Sequence, residues 1–269
     1  MQKIGGSATL NGVIMINSSA FKIAHATRNK DGTISVNNFR KLTAAMKWFQ
    51  FNIERATRKI PVIRELAKIL FMYIIIIYSL ISGIFKTITD FKGWNFKRIF
   101  SFIFLAAFIY AIAFMNDYYS LAALAASVFI FNKQLSILLK YHGAEHKSIN
   151  TYENSGAIED VTVDYACTFS KIHLRCGTNI IILLIPLILL YSVFAEQFII
   201  NLNGGDYLDF ILCILILGIS IELFRLFQKP LMRWALKPGL WAQKYITTKE
   251  PDERQLEVAI CALKAVVTD

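Results

Sequence analysis

Apolar residues in this chain are gathered into long runs with few or no charges, at 69–85, 99–115, 119–139, 180–194 and 208–227. A run of 18 or more such residues reads as a membrane-crossing helix. At 1.5 Å per residue, 69–85 reaches only roughly 26 Å, barely enough to cross a hydrocarbon core. The third run holds Asn132, Lys133 and Gln134 near its end, where a lysine can snorkel to an interface. Upstream the pattern changes. Residues 21–28 and 33–36 read as strands around the turn sequence Asn29-Lys30-Asp31-Gly32. Gly5, Gly6 and Gly12 mark expected bends before them, without the spacing of a nucleotide-binding loop. At the other end Pro251 opens a helix with Asp252 and Glu253 in its first turn. Leu256, Ile260, Leu263 and Val267 recur on one face of it, and that face needs a packing partner.

Composition sharpens this reading. Of 269 residues 55% are hydrophobic and 18% charged, with a formal net charge of +10. Twelve Lys/Arg stand against three Asp/Glu in 1–68, while 195–209 holds three acids and no base. In a membrane protein such asymmetry marks the cytoplasmic side. The charges favour four crossings with both termini inside, and leave 69–85 as an interfacial or re-entrant helix. The expected fold is therefore a mostly α-helical membrane protein with about four transmembrane helices. Its parts are a β-rich cytoplasmic unit (1–40), a basic and an interfacial helix (41–95), a first transmembrane hairpin (99–139), a cytoplasmic His/Glu/Cys segment (140–179), a second hairpin (180–228) and a cytoplasmic tail (229–269). Cys167, Cys176, Cys213 and Cys261 form no CxxC pair, which fits a reducing compartment. No signal peptide is predicted.

The chemistry is concentrated in 140–179. His142 and His146 are spaced i, i+4, so on a helix both rings leave one face and can share a cation. Glu145 between them makes the order His-x-x-Glu-His, the inverted zinc-protease motif, in which the carboxylate is the base. Glu153, or His173 in Ile172-His173-Leu174-Arg175-Cys176, is expected to complete the metal shell. Cys176 is a further ligand or a nucleophile. Zn²⁺ suits imidazole and thiolate ligands. Glu222 lies in an apolar run, either as a functional acid or as a local pair with Arg225.

Several motifs together resemble the YqhQ-like family of bacterial membrane proteins. They are Gly5-Gly6-x-Ala8-x-x-x-Gly12-Val13-x-Met15, Tyr141-His142-Gly143-Ala144-Glu145-His146-Lys147, His173-x-Arg175-Cys176-Gly177, Gly218-Ile219-Ser220-x-Glu222, Pro238-Gly239-Leu240-Trp241 and Thr247-Thr248-x-Glu250-Pro251. The resemblance runs from about residue 4 to 267. It implies a bacterial cytoplasmic-membrane protein, often labelled a metal-dependent enzyme on the same His/Glu pattern. It also implies an amphipathic character for 61–85. The chain departs from the pattern at Asn11, where an acid is usual, at Ile14, where a methionine is usual, and at Leu174.

Two functional expectations follow. One is a zinc-dependent hydrolase at the cytoplasmic membrane interface, with Glu145 as base. The other is a non-enzymatic accessory of membrane-protein biogenesis, whose basic face meets lipid, a protein partner, or a ribosome or translocon. It would touch nucleic acid only through a ribosome.

Overall fold

Alternating small and apolar residues build the N-terminal part as strands β1 (Ile4–Thr9), β2 (Gly12–Asn17), β3 (Lys22–Arg28) and β4 (Ile34–Phe39), an antiparallel sheet in that order. The computed structural model describes residues 4–17, 20, 22–39, 52, 55, 126, 128–195 and 205–268. Met15 stands opposite Gly6 on one side and Ala24 on the other, and Val13 opposite Ala26. Side chains alternate along a strand, so these residues share one face, and Val13, Met15, Ala24 and Ala26 are fully buried on it. The expected bends at Gly5, Gly6 and Gly12 are instead strand positions, with the turn at Leu10 and Asn11. Between β3 and β4, Gly32 takes a φ of +89° and its N–H donates to the Asn29 carbonyl at 3.1 Å. That left-handed backbone is the reason a glycine stands there.

The helices are α1 (Asn132–Ser155), α2 (Val163–Cys167), α3 (Thr178–Leu190), α4 (Gly205–Phe227), α5 (Lys237–Ala242) and α6 (Glu253–Val267). A 3₁₀ segment, Pro230–Leu236, leads into α5, and a π-helical turn, Gln243–Thr247, follows it. Helix α6 lies across β2, β3 and β4. Its Leu256, Ala259, Ile260, Leu263 and Val266 join Val13, Met15, Ala24 and Ala26 in one core, to which α1 adds Tyr141, Ala144, Ile149 and Tyr152. Val267, expected on that face, is at its margin. Polar links also tie sheet to helix: Asn17 Nδ2 donates to the Val266 carbonyl at 3.0 Å, and Arg28 pairs with Glu257 and donates to the Arg254 carbonyl at 3.0 Å. The start of α6 is a capping box. The Asp252 carboxylate accepts from Gln255 N, and the Gln255 side chain accepts from Asp252 N. Asp252→Ala is expected to lower stability by about 1 kcal/mol, read as a shifted urea midpoint.

The fold expected from the apolar runs needs correction. Among the described residues no helix is long and apolar enough to cross a membrane. That overturns the four-crossing architecture and, with it, multi-pass placement in a bacterial cytoplasmic membrane with both termini inside. The physical reasons are visible in two of the runs. Helix α3 has 13 residues, contains Pro186 and passes into a π-helical turn at Tyr191. At 1.5 Å per residue it spans about 20 Å of a hydrocarbon core about 30 Å thick. Helix α4 has 23 residues but carries Asp206, Asp209, Glu222 and Arg225. The runs at 69–85 and 99–115, and 119–125 of the third, lie outside the described residues, as do the basic residues of 56–68.

Candidate metal centre

Helix α1 buries an unusual set of side chains. Glu145, His146, Lys147, Ser148 and Thr151 are all at most 5% exposed. Burying so many polar groups is costly unless each finds a partner, so the surrounding chain is organised to supply them. Lys147 Nζ donates to the Cys167 carbonyl at 2.8 Å and pairs with Glu250 at 2.5 Å. Ser148 and Thr151 donate back to carbonyls of their own helix.

The two histidines are held by backbone oxygens. His142 Nδ1 is 2.8 Å from the Thr247 carbonyl, and His146 Nδ1 is 2.7 Å from the Lys171 carbonyl. A carbonyl can only accept, so Nδ1 carries the proton in both rings and Nε2 is left with its lone pair. The rings sit edge to face with centroids 4.4 Å apart. Cys176 Sγ lies 3.4 Å from His142 Nε2. One ligand atom each from His142, His146 and Cys176 falls within 4.8 Å of the others, a triad that could hold a metal ion.

The electrostatics match ligation. Burial lowers the His146 pKa, keeping the imidazole neutral as a ligand must be. Burial opposes ionisation of the Cys176 thiol. The His146 imidazole and the Thr178 hydroxyl and N–H outweigh it and bring the pKa below the ordinary thiol value. Cys176 also stands just before the N-terminus of α3, where a thiolate is favoured.

Glu145 is the unsatisfied member. Its Oε2 is buried with no hydrogen-bond partner. Burial pushes its pKa up to about 8, helped by Cys176 and opposed by His142. The carboxyl is admitted by a glycine of β1: a Cβ at Gly6 would stand 2.8 Å from Glu145 Oε1. A buried carboxylate oxygen without a partner, next in the chain to one of three potential ligand residues, is what a site built for a cation and a water would present.

Glu153 and His173, expected to complete the shell, lie elsewhere. Glu153 Oε2 is 3.4 Å from His173 Nε2, and the other carboxylate oxygen pairs with Arg175. Burial alone would raise the Glu153 pKa; His173 and Arg175 together bring it below the usual value. The His173 ring is 5.7 Å from that of His146, with its nitrogen turned to Glu153. These residues border a cleft lined also by Asn150, Gln228 and Arg233. Glu222 pairs with Arg225 at 3.7 Å, the local alternative foreseen for it.

Sequence reading missed the groups that aim the ligands. The backbone oxygens of Thr247 and Lys171 have no sequence signal. Gln243, fully buried, accepts from His173 N at 2.8 Å and donates to Asn179 Oδ1 at 3.2 Å, and Asn179 in turn donates to the Leu174 carbonyl. Gly239 permits this, since a Cβ there would lie 2.1 Å from Asn179 Oδ1. The signal available was Pro238-Gly239 itself, a glycine just inside a helix start.

Comparison with known proteins agrees with the resemblance read from the motifs. The chain is 38% identical over 133 residues to "Uncharacterized protein YqhQ" of Bacillus subtilis (strain 168). The match covers 46% of this chain and 38% of that protein, so the chain spans well under two thirds of the relative's length. No solved structure matches. The model of the family described as "Protein of unknown function (DUF1385)" matches residues 7–269, and the chain belongs to that family.

Proposed function

We propose that this protein is a zinc-dependent hydrolase in which His142, His146 and Cys176 hold the metal and Glu145 moves the proton. The observation that carries the reading is the convergence of three ligand atoms within 4.8 Å of one another, together with the buried carboxyl of Glu145, next to His146 in the chain, whose Oε2 has no hydrogen-bond partner. Two imidazoles and a thiolate favour Zn²⁺ over harder cations, and three protein ligands leave a fourth position for water or substrate, the pattern of catalytic rather than structural zinc. Zinc held there supplies a Lewis acid that acidifies a water toward a pKa of ~7, polarises the scissile bond and favours ionised Glu145.

The chain's own residues do the rest. Ionised Glu145 takes a proton from the attacking water as its oxygen bonds to the electrophilic carbon or phosphorus. The bond to the leaving group breaks, and Glu145 returns the proton to that group. Thr247 and Lys171 keep both imidazoles in the ligating tautomer.

Metal analysis of the purified full chain tests the reading. The protein is expected to carry about one zinc per chain and the His142→Ala/His146→Ala variant almost none. Equal and negligible metal in both removes the proposal.

One observation favours a second reading. With Sγ 3.4 Å from an imidazole nitrogen and a lowered pKa, Cys176 also has the geometry of a thiol nucleophile with His142 as base. A zinc-free protein whose Cys176 alone is alkylated rapidly would support that reading over the first. The accessory-protein expectation loses one of its motives, because the apolar face of α6 is already covered by the sheet.

A further inference from the structure

We infer that the outward face of residues 229–249 is a docking surface for anionic lipid headgroups, a surface contact that requires no crossing helix. The 3₁₀ segment, α5 and the π-helical turn run on from one another. Their inward positions, Leu236, Gly239, Ala242 and Gln243, are buried, and α5 packs on α3. The outward positions fall three, seven and four residues apart, about one or two helical turns: Leu231 is 86% exposed, Trp234 65%, Trp241 57% and Tyr245 61%. Ile246 is exposed beside them. A helical segment with one satisfied face and large aromatic and aliphatic residues on the other is an interfacial element. Trp and Tyr suit the headgroup layer because an apolar ring ends in a group that still needs a polar partner.

Charge selects the occupant. Lys229, Arg233, Lys237, Lys244 and Lys249 fall within this stretch, and no Asp or Glu lies between 229 and 249. Lys244 Nζ stands 5.1 Å over the Tyr245 ring. A second copy of the chain is disfavoured, since a two-fold contact through this face would set these basic groups against their own copies. Single-stranded nucleic acid also uses bases stacked on aromatic rings and a basic groove. Leu231 and Ile246, among the exposed apolar groups, offer no stacking surface but do partition into acyl chains.

The test is co-flotation of the full chain with vesicles of phosphatidylcholine alone and of phosphatidylcholine with phosphatidylglycerol. Binding is expected to the anionic vesicles and to weaken with salt. Lys237→Glu/Lys244→Glu should reduce that affinity about tenfold or more, and Trp234→Ser/Trp241→Ser/Tyr245→Ser should reduce binding to both vesicle types. All five positions are exposed, so zinc content and thermal unfolding should stay as in the parent chain. Independently, Trp fluorescence of the parent chain should shift to the blue on adding anionic vesicles, and Trp234→Phe/Trp241→Phe should remove the shift. Variants that float like the parent, no blue shift, tighter capture of single-stranded RNA than of vesicles, or a dimer dissolved by the serine variant would each overturn the inference.

Discussion

Stripped of metal by a chelator, the protein is expected to lose stability as pH rises from about 4.5 to about 8, and Glu145→Gln is expected to remove that loss. The folded-state pKa of Glu145 is raised from 4.5 to about 8 by burial. Below about 4.5 the carboxyl is protonated in both folded and unfolded chains, and its stabilising contribution is fully present. Between the two values the unfolded chain releases the proton while the folded chain keeps it, so stability falls with pH. Above about 8 both forms are ionised and the contribution is gone. A shift of this size corresponds to a few kcal/mol, because each pKa unit is worth about 1.4 kcal/mol. His146 acts in the opposite sense: its lowered pKa makes folding more favourable as pH rises through 6.5. The decisive quantity is therefore the difference between the parent chain and Glu145→Gln in urea midpoints across pH. Parallel curves for the two proteins would show that Glu145 ionises normally, and the base assignment would fall with it. Adding zinc back should flatten the parent's curve, since a nearby dication favours the carboxylate.

The second large effect is expected at Gly143, between the two histidines. A Cβ there would stand 2.1 Å from the Lys249 carbonyl and 3.3 Å from the Pro251 ring. The obstacle is backbone, so the 247–251 segment would have to move. That segment is fastened at several points: Lys249 N donates to the Leu139 carbonyl at 2.9 Å, Lys171 Nζ to Thr248 O at 3.2 Å, and Glu250 pairs with Lys147. It also carries the Thr247 oxygen that orients His142. Gly143→Ala is expected to cost about 3 kcal/mol or more and to lower zinc content in whatever fraction folds. Gly5, where a Cβ meets nothing within 4 Å, is the control. Gly5→Ala should change stability by less than about 1 kcal/mol. Similar behaviour of the two variants would mean that the segment is not clamped against α1.

The histidine pair and Glu145 were legible in the sequence because helical spacing alone puts i and i+4 on one face. Strands were legible at 21–28 and 33–36 from β-favouring residues around an Asn-x-Asp-Gly turn, though β4 runs on to Phe39, and α6 was legible from its proline, acids and apolar period. Glu153 and His173 were natural choices for the remaining ligand, being the right residue types a short way downstream. Nothing in their spacing records that Arg175 and His173 hold Glu153 in a separate cluster while Cys176 turns toward His142.

What the sequence determined by itself is local: which residues share a helix face or a strand face, where turns and caps fall, and that 140–179 carries the side chains that could hold a metal ion. These follow from fixed periods of 3.6 and 2 residues and from short-range hydrogen bonds. The tertiary structure alone decided which third side chain meets the histidines and which carbonyls set their tautomers. It also decided that Glu145 is buried with its Oε2 unpartnered and its Oε1 against Gly6. Those outcomes depend on how α1, the 171–178 stretch and the 243–251 segment approach in space, and apolar run length likewise misjudged α3, whose regular α-helix gives way to a π-helical turn after 13 residues. Contacts between residues a hundred positions apart are chosen by packing and by satisfying buried polar groups, and neither leaves a periodic trace along the chain.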